Sequence, residues 1–121
     1  MKLNTTVRAV VGALLIAGCE FAHAHAYPTH QAPAAGATVP ASQQDVAIDF
    51  DDGLEPEFSS ITVTDAHGNA VARDKAVVDP SNRKHMSVAL KPLEPGVYTV
   101  SWVAVADDGH RTQGHYNFTV K

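Results

Sequence analysis

Short segments with alternating polar and apolar residues follow one another from residue 45 to the end of the chain. Asp45–Phe50 alternates strictly, and residues 61–64 do the same. This two-residue period is typical of strands that bury one face. Turn-forming residues separate the segments, as in residues 65–69, where Gly68 can adopt a positive φ. About seven short strands at this spacing, with no helical periodicity, predict an all-β, immunoglobulin-like Greek-key sandwich or barrel.

The longest apolar segment, residues 97–105, predicts a central strand of that fold. Its side chains alternate between two faces, and the face with Tyr98, Val100 and Trp102 is the predicted core face. The other predicted strands are an arm or edge strand within residues 25–42 and segments at residues 76–78, 85–90 and 115–120.

The start of the chain has the three-part pattern of a secretory signal peptide. Lys2 and Arg8 form a basic start, residues 9–18 are apolar, and residues 22–24 are an A-x-A-like cleavage site. The apolar stretch is shorter than the roughly 20 residues that a membrane span needs. We therefore predict a signal peptide at residues 1–24 and one secreted domain at residues 25–121, with a retained N-terminal helix as the alternative.

Cys19 is the single cysteine of the chain, and it precedes the predicted cleavage site. The mature domain would then have neither a disulfide nor a thiolate metal site. However, residues 15–19 also resemble a lipobox, in which the cysteine is lipidated and becomes the first residue. This alternative stays open, and it would leave His25 inside the chain.

The charge balance excludes some classes of partner. The full chain has 13 acidic and 9 basic side chains and a formal net charge of −4. Two of the basic side chains, Lys2 and Arg8, lie in the predicted signal peptide, so the remainder is also acidic. An acidic domain without basic clusters does not suit nucleic acid or anionic membrane surfaces, whereas it does suit cations.

Three residues of the predicted mature domain form a candidate metal site. Cleavage after Ala24 would make His25 the N-terminal residue, whose α-amine and ring Nδ1 can chelate one ion. Asp108 and His110 follow the longest strand and, being two residues apart, project to the same side of an extended segment. Amine, two imidazoles and a carboxylate suit Cu(II) in tetragonal geometry. Taken singly, each part of this candidate site has an ordinary alternative. His25 could be a disordered terminal residue, and the segment from Asp108 to His110 could be an ordinary Asp-Gly turn.

Several segments together resemble the CopC family of periplasmic copper-binding proteins. They are residues 25–39, which begin with His25 and contain a Pro-Ala-Ala-Gly turn, and residues 50–55, 93–102, 105–110 and 114–120. The resemblance covers essentially the whole predicted mature chain. It implies a Greek-key β-sandwich and a periplasmic Cu(II) site with His25, Asp108 and His110 as ligands. Asp52 stands where the family often has a glutamate, so we expect Asp52 beside the ligands without a direct bond to the ion.

The resemblance implies a copper carrier and no enzymatic activity. Its expected partners are copper ions and an inner-membrane CopD-type copper transport protein, and we expect a monomer. Met86 is the one methionine left after cleavage, so no Cu(I) site is expected. Two other classes stay open: an immunoglobulin-like structural or adhesion module without metal, and a copper monooxygenase that also uses an N-terminal histidine.

For the remaining histidines, the sequence gives less indication of a role in metal binding. His30 and His115 are further candidates for positions near the copper site. His67, in a predicted turn, and His85, at the start of a predicted strand, are expected to be solvated.

Overall fold

Eight strands and no helix make up residues 25–121, the part of the chain that this computed structural model describes. The predicted signal peptide at residues 1–24, including Cys19, lies outside the described residues. Within the described residues, no helix is long and apolar enough to cross a membrane. The strands are β1 (Pro28–Ala32), β2 (Thr38–Val39), β3 (Asp45–Phe50), β4 (Ser60–Thr64), β5 (Val77–Asp79), β6 (Asn82–Ala89), β7 (Gly96–Val105) and β8 (Arg111–Val120).

The strands form two four-stranded sheets. The first has the order β1-β3-β6-β5 and the second the order β2-β8-β7-β4. All neighbours are antiparallel except β2 and β8, which are parallel. Only the β5–β6 and β7–β8 connections stay within one sheet, and each of the others crosses to the opposite sheet. This arrangement confirms the predicted all-β sandwich, with the two-residue strand β2 as an eighth strand.

The core lies between the inner faces of the two sheets. Tyr98, Val100 and Trp102 are all buried, which confirms the predicted core face of β7. The Trp102 ring packs edge-on against Phe50 of the opposite sheet, with 5.4 Å between ring centroids. Burying a large apolar side chain of this kind stabilises the fold by roughly 1.5–3 kcal/mol. Gly114 lies opposite Trp102 on β8, where a Cβ atom would come within 2.6 Å of the indole, so the core requires glycine there.

Two strands begin several residues earlier than the sequence predicted. β6 starts at Asn82 rather than at residue 85, because the Asp79 carboxylate accepts hydrogen bonds from the Ser81 N–H and hydroxyl and makes the turn tight. β8 starts at Arg111 rather than at residue 115, because its pairing with β7 continues to Val105. The longer β7–β8 hairpin places its loop, with Asp108 and His110, at one end of the sandwich.

Candidate metal centre

The start of the described chain is held against the sandwich by its backbone. Ala26 is fully buried, and its carbonyl oxygen accepts a hydrogen bond from Thr112 Oγ1 at 2.5 Å. The Tyr27 N–H donates to Asp51 Oδ1 at 2.8 Å, and the Asp51 N–H donates to the Tyr27 carbonyl at 3.0 Å. These contacts fix the first residues beside the β7–β8 hairpin and the loop that follows β3.

The loop of the β7–β8 hairpin is closed by two backbone hydrogen bonds. The Ala106 N–H donates to the His110 carbonyl at 2.9 Å, and the Gly109 N–H donates to the Ala106 carbonyl at 2.8 Å. Gly109 has a φ of 88°, in the left-handed region that favours glycine. The Asp-Gly pair therefore does form a turn, and this turn orients the Asp108 and His110 side chains.

The structure brings the three predicted ligands together, and we call them the hairpin cluster (His25, Asp108 and His110). The centroids of the two imidazole rings are 4.9 Å apart, and the rings meet edge to face at 76°. Asp108 Oδ2 lies 2.8 Å from His110 Nδ1, and Asp108 Oδ1 accepts a hydrogen bond from the His110 N–H at 3.0 Å. One end of the sandwich thus presents two imidazoles and a carboxylate side by side.

The electrostatics of the hairpin cluster favour a cation. The hydrogen bond from the His110 backbone N–H is the main reason that the pKa of Asp108 lies below its ordinary value, and the His110 ring lowers it further. The nearby charge of the His25 ring acts in the same direction. Asp108 is therefore an anion at neutral pH. The His110 side chain is 60% exposed, so an ion can reach the cluster from solvent.

Two other acidic residues at this end, Asp107 and Glu55, already have a cationic partner. The Arg83 guanidinium lies 3.3 Å from Asp107 Oδ1 and 3.6 Å from Glu55 Oε2. It also donates a hydrogen bond to the Leu54 carbonyl at 2.8 Å. Arg83 thus offsets two of the carboxylates, whereas the Asp108 carboxylate contacts His110.

Asp52 lies in the turn after β3, which packs against the hairpin loop. Its Oδ1 accepts a hydrogen bond from the Gly53 N–H at 2.8 Å. A Cβ atom on Gly53 would come within 2.8 Å of the Asp107 carboxylate, which shows how closely the two loops approach. The position of Asp52 beside bound copper stays a prediction.

The hairpin cluster is not an assembled metal site in this conformation. Across residues 25–121, no group of three or more His, Cys, Asp or Glu side chains has a ready metal-holding arrangement. The α-amine of His25 joins the donors only when the chain is cleaved before it. Coordination by all the proposed donors therefore needs both that cleavage and rotation of side chains, including that of His25, whose Nδ1 is buried.

Three of the other histidines of the described residues lie on strands, and His67 lies in a turn. His115 is exposed on β8, opposite Ser101 of β7, and His30 is exposed on β1, opposite Asp49 of β3. His67 lies in an exposed turn, where its N–H donates to Asp65 Oδ1. His85 differs from its expected solvated state, because it is half-buried with Nδ1 only 2.6 Å from Asp49 Oδ1. Sequence reasoning missed this contact, since it depends on the pairing of β3 with β6.

The described residues form an all-β sandwich with a histidine–aspartate cluster at one end. Sequence comparison identifies the family to which the chain belongs. The chain belongs to the CopC domain family, whose pattern matches residues 29–121. Protein YobA of Escherichia coli strain K12 is 41% identical over 99 residues, which cover 81% of this chain and 80% of YobA. Copper transport protein CutJ of Bacillus subtilis is 33% identical over 98 residues, which cover 80% of this chain but 18% of CutJ.

Solved structures of the same family have the same fold. CopC from Methylosinus trichosporium OB3b superimposes with a TM-score of 0.75 at 31% identity, covering 80% of this chain and 94% of that one. PcoC, a methionine-rich copper resistance protein from Escherichia coli, superimposes with a TM-score of 0.65 at 32% identity, covering 81% and 100%. These comparisons confirm the resemblance drawn from the sequence motifs.

Proposed function

We propose that this protein binds Cu(II) in the periplasm and sequesters or delivers it for copper resistance or supply. The observation that carries the proposal is the contact of the His25 ring with the ring of His110, whose Nδ1 in turn contacts Asp108. Membership in the CopC family supports it. Two relatives add support, since CutJ is named a copper transport protein and PcoC a copper resistance protein.

The donor set fits Cu(II) once the chain begins at His25. The α-amine and ring of His25 would chelate the ion, and His110 and Asp108 would supply a second imidazole and a carboxylate. Imidazole and oxygen donors in tetragonal geometry suit Cu(II). Two adjacent ligands with bonds of about 2.0 Å at right angles lie about 2.8 Å apart. Asp108 Oδ2 and His110 Nδ1 are separated by 2.8 Å, which is compatible with neighbouring positions around one ion.

A carrier role follows from the same donor set. Four protein donors would occupy the strong positions of a tetragonal ion, whereas a catalytic metal keeps a position open for substrate. The proposed carrier is monomeric and exchanges copper with an inner-membrane CopD-type transport protein. The match to CutJ supports such a partner, because there a domain like this one makes up 18% of a longer copper transport protein.

Thermal unfolding with and without Cu(II) tests the proposal. The protein is recovered from a secreting bacterial host, and its intact mass establishes that it begins at His25. A ligand that binds only the folded state stabilises it by about 4 kcal/mol at a thousandfold excess over Kd. We expect a clear rise in Tm with Cu(II) that is lost in His110→Ala and kept in the matched control His67→Ala.

The same experiment separates the two other classes. A structural or adhesion module without metal would show no Tm shift at micromolar Cu(II), and that result would contradict the proposal. A copper monooxygenase would consume hydrogen peroxide and oxidise polysaccharide in the presence of reductant. The proposal predicts neither reaction above the rate of free copper.

A further inference from the structure

A second group of metal-binding side chains lies on the outer face of the first sheet. His30 of β1 is the direct cross-strand partner of Asp49 of β3, and Asp49 is the direct partner of His85 of β6. Directly opposed residues in antiparallel strands have Cβ atoms about 4.5–5.5 Å apart and project to the same face. The three residues therefore form one continuous line across three strands, which we call the sheet row (His30, Asp49 and His85).

The sheet row faces solvent. Ile48 and Met86, the neighbours of Asp49 and His85 along their strands, are completely buried, so the alternating residues Asp49 and His85 point outward. Their side chains are 40% and 35% exposed, and His30 on the edge strand is exposed as well. An ion can reach all three side chains without disturbing the core.

Two of the three side chains are already in contact. His85 Nδ1 lies 2.6 Å from Asp49 Oδ1, so the carboxylate fixes the orientation of the imidazole. Asp79 adds negative charge nearby, since its pKa lies below the ordinary value mainly because of hydrogen bonds from Ser81 and further because of the charge of His85. A nitrogen and an oxygen donor held this close resemble the Asp108–His110 contact of the hairpin cluster.

We propose that the sheet row is a second binding site for a divalent ion of the copper and zinc class. The ion binds between Asp49 Oδ1 and His85 Nδ1 while Nε2 of the ring carries the imidazole hydrogen, and the exposed His30 side chain turns across the sheet to supply the third donor. Two imidazoles and one carboxylate suit Cu(II) and Zn(II), and Cu(II) binds such donors more tightly. Because the described residues hold no ready metal cluster, His30 must rotate for binding, and this rotation makes the site weaker than one with preformed donors.

The test first removes two histidines of the hairpin cluster. Whether the hairpin cluster itself binds copper then does not affect the result. The double variant His25→Ala/His110→Ala, produced as the secreted protein, is titrated with CuSO4 in glycine-containing buffer by calorimetry. We expect one remaining Cu(II) equivalent. Adding either His30→Ala or His85→Ala lowers its affinity by at least about tenfold, because loss of a ligand costs no less than loss of a residue that merely orients one. Adding His67→Ala, the matched exposed histidine, leaves the affinity unchanged.

Zn(II) titration of the same double variant, followed by amide NMR, locates the site directly. The expected shifts centre on His30, Asp49 and His85, and a thermal scan of each variant shows that it is folded. The proposal is overturned if the double variant binds no Cu(II), if its binding does not respond to His30→Ala and His85→Ala, or if His67→Ala weakens it equally.

Discussion

The hairpin cluster and the sheet row contain the same side chains in different backbone surroundings. Each combines two histidines with one aspartate, and in each the aspartate contacts an imidazole Nδ1, at 2.8 Å in the hairpin cluster and 2.6 Å in the sheet row. In each, the second histidine comes from the N-terminal arm. The hairpin cluster lies on a loop and at the start of the proposed mature chain, whereas the sheet row is spread over three paired strands.

The difference in backbone surroundings determines how easily the donor atoms can come together around one ion. The two rings of the hairpin cluster are in contact, with centroids 4.9 Å apart, and the α-amine would add a fourth donor. In the sheet row, β3 separates the strands of the two histidines, and neighbouring strands are held about 4.8 Å apart. Similar donors should therefore give a strong site at the hairpin and a weak one on the sheet, because the backbone determines how much rearrangement binding requires.

The largest predicted effect is at the hairpin cluster. His110→Ala should lower the Cu(II) affinity of the mature protein by at least about a thousandfold, or about 4 kcal/mol, because it removes an imidazole and the partner of Asp108. Competition with a chromophoric chelator measures this change. Without copper, the substitution should alter the free energy of unfolding by no more than about 0.5 kcal/mol, since the side chain is exposed. Affinity equal to that of the parent would remove His110 from the site.

A smaller effect is expected from Asp108→Asn. The amide keeps the size of the carboxylate and can still accept the hydrogen bond from the His110 N–H, but it carries no charge. We expect a loss of at least about tenfold in Cu(II) affinity, because loss of the proposed carboxylate ligand costs no less than loss of a residue that only orients a ligand. Asp107→Asn is the matched control, because Asp107 contacts Arg83 instead. Equal losses in the two variants would point to general charge rather than to the His110 contact.

The hairpin cluster should fill with copper before the sheet row does. Cu(II) broadens NMR signals of nearby nuclei, so up to one equivalent we expect broadening only around residues 108–110. Signals of the sheet row should broaden mainly beyond that point, because filling in sequence requires the hairpin cluster to bind Cu(II) about a thousandfold more tightly, a difference of about 4 kcal/mol. Simultaneous broadening of both groups would show that the α-amine and the ring contact give the hairpin cluster no advantage.

The smallest predicted effect concerns the anchoring of the arm. Thr112→Val keeps the shape of the side chain but removes the hydrogen bond to the Ala26 carbonyl. One such bond contributes about 1 kcal/mol, so looser anchoring should weaken Cu(II) binding about fivefold. Thr119→Val, at the opposite end of the same strand from Thr112, is the control. A loss as large as that of His110→Ala would mean that the fold itself had changed.

The fold was predictable from sequence because the alternation of polar and apolar residues along each strand indicates which side chains are buried. The buried face of Tyr98, Val100 and Trp102 followed from their spacing alone. The hairpin cluster was predictable in part, since Asp108 and His110 are close in sequence and the family resemblance adds His25. Strand ends were less predictable, because the start of β8 at Arg111 depends on pairing with β7 and not on local alternation.

Contacts between distant segments could not be predicted in the same way. Asp49 and His85 are 36 residues apart, and their contact depends on the register between β3 and β6. Thr112 and Ala26 are 86 residues apart, and their hydrogen bond depends on how the arm crosses from one sheet to the other. Neither segment contains a local signal for such pairing, so the sheet row and the anchoring of the arm required the structure.

In the proposed site, the first residue of the mature chain holds copper through its own α-amine. The most direct test compares Cu(II) affinity and electron paramagnetic resonance spectra of two proteins, one beginning at His25 and one with a single glycine added before it, each verified by intact mass. We expect the added glycine to lower the affinity by at least about a thousandfold and to remove the amine nitrogen from the spectrum, while the Tm without copper is unchanged. Equal affinity and identical spectra would contradict the proposed role of the α-amine as a copper ligand.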